Sequence, residues 1–311
     1  MMRITRRSLR DENIVELKDI VRGSWINLTK PTKKEIDFVI EKTGISTEFI
    51  KAALDENERP RFDIEKDVLI IFRVPSEMGN NSDRELETIP IGIIITEDYI
   101  ITASLMETDI LKDFYENKIK NFYTTKRTRF LIQILSRTNY YFVRYLDRIE
   151  DEIDRTEDSL MESMRNKDLI RLFEIQKTLI YFSRAQLTNG IVLDNILKGK
   201  VVKLYKEDED VLDDIIIENK QSLEMTTTYY NILTNTIAAY SSLVSNNLNV
   251  VMKLLTSLTI ILSIPTIIGS FYGMNVGLPF QDNPFAFAFT LLISFLFSLI
   301  VAILFIKKKY L

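Results

Sequence analysis

The chain has 311 residues, 27% charged and 46% hydrophobic, with a formal net charge of −4. It has no cysteine and no histidine. That removes disulfides, thiolate metal sites and the commonest general base, and so excludes His- or Cys-ligated zinc enzymes and Ser-His-Asp hydrolases. The acidic balance argues against a nucleic-acid partner.

The N-terminus, "MMRITRRSLRDEN", is basic with no apolar core behind it, so it does not read as a secretory signal. From about residue 20 to 125, helix and strand signals mix. "GSWINL" (Gly23–Leu28), "DVLIIFRVP" (Asp67–Pro75), "IGIIIT" (Ile91–Thr96) and "YIITASL" (Tyr99–Leu105) are apolar, β-branched runs that predict strands. "TKKEIDFVIEKTG" and "STEFIKAALDE" predict short helices with Thr32 and Ser46 as N-caps. "EMGNNSDRE" (Glu77–Glu85) reads as a polar loop between strands. Residues 1–125 are expected to form a cytosolic α/β domain.

From about Lys126 the periodicity turns helical. An apolar stripe runs through Ile132, Leu135, Phe142, Leu146, Ile149 and Ile153, with the polar Asn139 in its one gap. "MRNKD" predicts a turn, and a second helix runs to about Leu197, ended by Gly199. Residues 126–206 therefore read as an antiparallel helical hairpin. Its "RIEDEIDRTEDSLMES" (Arg148–Ser163) holds seven acids, read as a solvated face or as a local attractor of cations. A third helix starts near Asp208 and meets no proline until Pro265. At ~1.5 Å per residue such a helix far exceeds the ~30 Å apolar core of a bilayer, so it starts in the cytosol as a stalk (207–253) and ends across a membrane.

Between Lys253 and Lys307 the only charge is Asp282. Residues 254–272 and 284–306 are two uncharged runs, each long enough to cross once, joined by an external loop at 273–283. Lys253 precedes the first and Lys307, Lys308 and Lys309 close the second, in a basic tail at 307–311. By the positive-inside rule the chain is a multi-pass protein of the cell (inner) membrane with both termini cytoplasmic. The lysine cluster serves as a topology signal or as an anchor at the anionic inner leaflet.

Asn249, Met252, Thr256, Thr259, Ser263, Thr266, Ser270 and Gly273 recur at steps of 3 and 4, so most non-aliphatic residues of the first span share one stripe. Small and hydroxylated residues serve close helix packing; the same stripe, with Asn249 at one end and Asn275 beyond the other, also suits a pore wall. Two spans per chain cannot enclose water, so a pore requires several copies and makes the protein a homo-oligomer.

"YGMN" (Tyr272–Asn275) at the outer end of the first span resembles the signature of the CorA family of magnesium/cobalt transporters. "NVVMKLLT" (Asn249–Thr256), Pro265 within the span, the C-terminal lysines, "WINL" (Trp25–Leu28) and "RPRF" (Arg59–Phe62) are similar to that family as well. The resemblance covers essentially the whole chain. It implies an α+β membrane protein, a funnel-shaped homopentamer whose first spans line a pore for passive uptake of Mg²⁺, with Co²⁺ and Ni²⁺ often accepted. The resemblance also implies an inter-subunit regulatory Mg²⁺ site, with Asp214 on the stalk. The acidic pair expected upstream of Arg-Pro is replaced by Lys51 and Ala52, leaving Asp55 or Glu56 as substitutes and Asp213 as an alternative stalk ligand; the sensor is then lost or built differently. Pro279 is followed by Phe280, where the family often has Pro-Glu.

Mg²⁺ gives up its water reluctantly. A mouth of Gly273, Met274 and Asn275 is expected to hold the hydrated ion through Asn275 side-chain oxygens and Gly273 carbonyls, with Gly273 letting the backbone turn sharply as the helix ends. Asp282 raises the local cation concentration. The partners are then the chain itself, the bilayer and divalent cations. The alternatives are a transporter of another divalent cation such as zinc, which Met274 disfavours because zinc-transporting relatives tend to replace it, and a membrane-anchored oligomer that transports nothing.

Overall fold

Trp25, Ile26, Asn27 and Leu28 send alternate side chains to opposite faces of one strand, and that period of two organises the N-terminal part of the molecule. The computed structural model describes all residues except 12, 80–84, 164, 280–282, 309 and 311; of residues 161–163 it describes only the backbone. Its contacts divide the chain into two units, Met1–Asn235 and Thr236–Leu311.

In the first unit the described strands are β1 (Met2–Arg6), β2 (Val15–Glu16), β3 (Trp25–Thr29), β4 (Arg61–Ile64), β5 (Val68–Glu77), β6 (Leu86–Ile95) and β7 (Ile100–Ser104). They form one sheet in the order β2-β1-β3-β7-β6-β5-β4. The β3–β7 pair is parallel and the other pairs are antiparallel. The apolar runs of the sequence became β3, β5, β6 and β7. The sequence reading missed β1, β2 and β4, which lie toward the sheet's two ends and have charged residues among a few apolar ones. Within the expected loop Glu77–Glu85, residues 80–84 lie outside the described residues.

One sheet face is closed by helices α1 (Lys33–Thr43) and α2 (Thr47–Ala53). Ile26, Leu28, Val39, Phe49, Ile50, Leu69, Ile71, Ile94 and Ile101 form a single buried cluster there. Thr32 caps α1, as its sequence predicts, and does so in a full capping box with Glu35. Ser46 stands at the N-cap of α2 without a side-chain bond to the helix. Gly92 on β6 is required by this packing: a Cβ there would lie 2.1 Å from Ala53 Cβ. Trp25 is fully buried. Its ring stacks on Tyr115 at 4.4 Å and meets Phe130 edge-on at 5.0 Å, and its Nε1 donates to Thr102 Oγ1 at 2.9 Å. Tyr115 ends α3 (Asp109–Tyr115), a helix not foreseen in the sequence, and Phe130 lies on α4 (Arg127–Ser163).

After α4 come α5 (Asn166–Leu197) and α6 (Lys206–Tyr272). Ile132, Leu135, Phe142, Leu146, Ile149 and Ile153 of α4 are all buried, and Asn139 is buried among them. The helix α5 starts at Asn166, inside the segment read as a turn, whose Met164 lies outside the described residues. Gly199, just past the α5 C-cap, takes the left-handed conformation. A buried polar ladder ties α6 to its neighbours. Gln186 of α5 donates to Ser222 Oγ at 2.6 Å and accepts from Thr226 Oγ1 at 2.8 Å, while Asn219 donates to the Gln186 carbonyl at 3.0 Å.

In the second unit, the last part of α6 is followed by α7 (Ala286–Lys307). These are the two described helices long and apolar enough to cross a membrane. At ~1.5 Å per residue the 22 residues of α7 match the ~30 Å of a bilayer core.

Candidate functional site

The second unit presents two different faces of α6. Ser298 Oγ of α7 donates to the carbonyl of Ile261 at 3.4 Å, which marks the side of α6 that meets α7. Ser257, one turn earlier on that side, is buried. At about 100° per residue, Thr259 and Ser263 lie roughly 160° around the helix from Ile261. The polar stripe therefore points away from α7. Asn249, Met252, Thr256, Thr259, Thr266 and Ser270 are exposed in the single chain, and Ser263 is half-buried. Packing between the two spans of one chain does not use this stripe.

Three of the stripe's hydroxyls, those of Thr259, Ser263 and Thr266, share one orientation. Thr259 Oγ1 donates to Leu255 O at 2.8 Å, Ser263 Oγ to Thr259 O at 2.7 Å, and Thr266 Oγ1 to Leu262 O at 3.2 Å. Each hydroxyl proton is committed to the helix's own carbonyl four residues back. The remaining lone pairs are what each group offers outward, so the face is biased toward accepting hydrogen bonds. That bias suits a cation or its water shell. The 3–4 spacing also continues below Asn249 through the exposed Ser245, Ser242 and Ala238. The sequence reading stopped at Asn249, although the same counting would have carried it on.

At the C-terminal end of α6, Gly273 N–H reaches both Gly269 O (3.0 Å) and Ser270 O (3.2 Å), and Met274 N–H reaches Phe271 O at 3.2 Å. The backbone thus tightens through one more turn without reversing hand. Among the described glycines, positive φ is found at Gly23, Gly44 and Gly199, so the chain leaves the helix at Gly273 without the left-handed conformation. A Cβ at Gly273 would meet only Gly269 O and Ser270 O, at 3.5 Å. Gly273, Met274 and Asn275 are exposed, and Tyr272 OH donates to Pro279 O at 3.4 Å across the start of the loop. Asp282 lies outside the described residues, as does Lys309. Lys307 and Lys308 close α7, and the Lys253 ammonium sits over the Tyr310 ring at 6.0 Å.

In the first unit, Asp213 and Asp214 are exposed on α6, and Asp55 and Glu56 on the loop after α2. Asp55 Oδ1 accepts from Asn57 N–H at 2.9 Å, and the Glu56 carbonyl accepts from Arg73 Nη1 at 3.2 Å. Among the described residues of a single chain, no three acids converge as a metal cluster. Glu218, one turn beyond Asp214, was not singled out from the sequence. Partial burial and the charge of Asp214 push its carboxyl above the usual range.

The sequence model of the family described as "CorA-like Mg2+ transporter protein" matches residues 22–308. The chain belongs to this family. It is similar to the cobalt/magnesium transport protein CorA of Methanocaldococcus jannaschii, 29% identical over 296 residues, covering 89% of this chain and 90% of that protein. It is also similar to the cobalt/magnesium transport protein CorA of Thermotoga maritima, 25% identical over 307 residues, covering 96% and 87%. The complete structure of the CorA magnesium transporter from Methanocaldococcus jannaschii superposes with a TM-score of 0.88 at 25% identity, covering 100% of this chain and 99% of that one. A CorA-family chain is a membrane transporter chain and not an enzyme. The observed N-terminal α/β domain, long helix and two C-terminal apolar helices are the CorA architecture.

Proposed function

We propose that the chain is a channel-like importer of Mg²⁺, with Co²⁺ and Ni²⁺ as further cargo, and that it works as a homopentamer with the α6 stripe of each copy facing a central axis. The observation that carries this is the stripe itself: exposed in the single chain except for the half-buried Ser263, turned away from α7, with the hydroxyl protons of Thr259, Ser263 and Thr266 committed inward. Asn249, Met252, Thr256, Thr259, Ser263, Thr266 and Ser270 line the path, and rings of Gly273, Met274 and Asn275 form the selectivity mouth. Asn275 amide oxygens and Gly273 carbonyls accept from the water shell of Mg²⁺, which avoids the cost of stripping it. Neutral acceptors release the ion again. Asp282 concentrates cations outside.

With both termini in the cytoplasm, the membrane potential supplies the drive. At about 2.3 kcal/mol per charge per 100 mV, a divalent ion gains about 4.6 kcal/mol on entering a negative interior. A regulatory Mg²⁺ bridges Asp214, with Asp213 as its alternative, to Asp55 or Glu56 of the next copy. The test is Asn275→Ala in liposomes loaded with a Mg²⁺ indicator. We expect assembly to persist and uptake to fall severely; normal uptake by an assembled variant refutes the mouth. Running the parent against Co²⁺, Ni²⁺ and Zn²⁺ ranks the cargo.

A further inference from the structure

Pro265 lies inside α6. It has no N–H, so the carbonyl of Ile261, four residues back, loses its helical partner. Inside a bilayer an unpaired carbonyl has no water to turn to and must be satisfied by protein. The one described side-chain donor to that carbonyl is Ser298 of α7, at 3.4 Å. The distance is long for a hydroxyl, as expected where the proline ring crowds the carbonyl from the other side.

The other two hydroxyls of α7 behave differently. Thr290 Oγ1 donates to Ala286 O and Ser294 Oγ to Thr290 O, each at 2.8 Å and each within its own helix. Ser298 departs from that habit and crosses to α6, at the position where a carbonyl has been set free. The gap at Ile261–Pro265 is flanked by Thr259, Ser263 and Thr266, three consecutive members of the polar stripe. Their back-bonding to the preceding turn loosens and bends a helix locally. A bend here swings the upper part of the stripe relative to the lower.

We infer that Ser298 is a positioning residue for conduction: by completing the backbone that Pro265 leaves open, it fixes the bend of the pore helix and so the alignment of Thr259, Ser263 and Thr266. The inference rests on the transport reading above. It makes α7 an adjustable support for the path, since any movement of α7 relative to Ile261 changes the bend.

The test compares Mg²⁺ uptake in liposomes by the parent, Ser298→Ala, Ser298→Thr, Pro265→Ala and the Ser298→Ala/Pro265→Ala pair. Ser298→Ala should lower maximal flux about fivefold, with the half-saturating Mg²⁺ concentration held within about twofold because the mouth is untouched. Ser298→Thr keeps the hydroxyl and should restore flux. With an N–H returned at position 265, Ile261 O regains its helical partner, and Ser298→Ala should then change nothing further. Parent-like flux from Ser298→Ala, or an equal loss in both backgrounds, overturns the inference. If Ser298→Ala fails to assemble, recovery of assembly by adding Pro265→Ala supports the coupling, and continued failure overturns it. A parent that carries no Mg²⁺ refutes the transport reading, and this inference with it.

Discussion

The side-chain amide of Asn139 on α4 donates to the carbonyl of Ile215 on α6 at 2.7 Å, inside an otherwise apolar seam. That carbonyl belongs to a regular helix and already has a backbone donor, so the contact adds a second bond to a satisfied group. The other end of the amide, Oδ1, is buried with no described partner.

Desolvating Oδ1 costs about 1 kcal/mol or more, and the extra bond returns about as much. Asn139→Leu, close in volume, should therefore leave thermal stability of the full chain unchanged or raise it by about 1 kcal/mol. Asn139→Asp places an unpaired charge against a carbonyl and should lower stability by about 3 kcal/mol or more. Unfolding followed by tryptophan fluorescence, through the buried Trp25, separates the two. A larger loss from Leu than from Asp would mean that the amide holds α6 in place by more than its hydrogen bonds.

Asn139 also marks what the sequence shows and what it conceals. A polar residue in a seam of spacing 3 and 4 reads as a flaw, because its partner is a backbone atom 76 positions away. Gln186, Ser222 and Thr226 are legible as polar residues in helices but not as a ladder, since pairing of α5 with α6 is set by tertiary packing. The long helices and central strands were legible because their apolar periodicity is strong. β1, β2, β4 and α3 were not: the strands are short or at the sheet's margins, and α3 has only two turns, with its stability coming from Trp25, Phe122 and Phe130 around it. On α6 the spacing exposed the stripe. It could not reveal which side faces α7, and the Ser298–Ile261 contact decides that.

Asp113 ties α3 to α4. It is buried and accepts from Arg137 Nε at 2.7 Å, Tyr141 OH at 2.8 Å and Lys118 Nζ at 3.0 Å. Burial alone would push its carboxyl up, but these donors outweigh it and hold it below the usual range. A carboxyl lowered on folding contributes stability that is complete above its unfolded pKa, ~3.9, and is lost as pH falls through the lower folded value. Acid unfolding should therefore be less steep below ~pH 4 in Asp113→Asn than in the parent. At neutral pH that variant should be less stable by about 3 kcal/mol, because Arg137 loses its charged partner. Parallel acid-unfolding curves for the two would exclude Asp113 as a contributor.

The stripe can be read chemically in the assembled protein, whose native sequence has no cysteine to give background. Thr259→Cys and Thr266→Cys should react with a membrane-impermeant, water-soluble thiol reagent, and saturating Mg²⁺ should slow the reaction. Ile261→Cys, on the side that meets α7, and Leu258→Cys and Leu262→Cys, outside the stripe, should react far more slowly. Equal labelling of all five positions would remove the case for a water-filled path along this face.

If the chain works as the proposed pore, driven downhill by about 4.6 kcal/mol per divalent ion at 100 mV, it needs a brake. Asp214 is the proposed stalk ligand and Asp213 its alternative, since adjacent helix positions point about 100° apart and only one of them can face the neighbouring copy. The Glu218 carboxyl is raised chiefly by partial burial, and repulsion from Asp214 adds to it. A bridging Mg²⁺ would relieve that repulsion and draw two subunits together; losing it would let like charges push the ring apart. Asp214→Ala should then keep conducting at internal Mg²⁺ concentrations that close the parent. Asp55→Ala and Glu56→Ala should divide between one that shares this phenotype and one that does not, which identifies the ligand on the neighbouring copy. If Asp214→Ala closes at the same internal concentration as the parent, control does not pass through this surface. Lys51 and Ala52 then mark the place where an acidic partner has been lost.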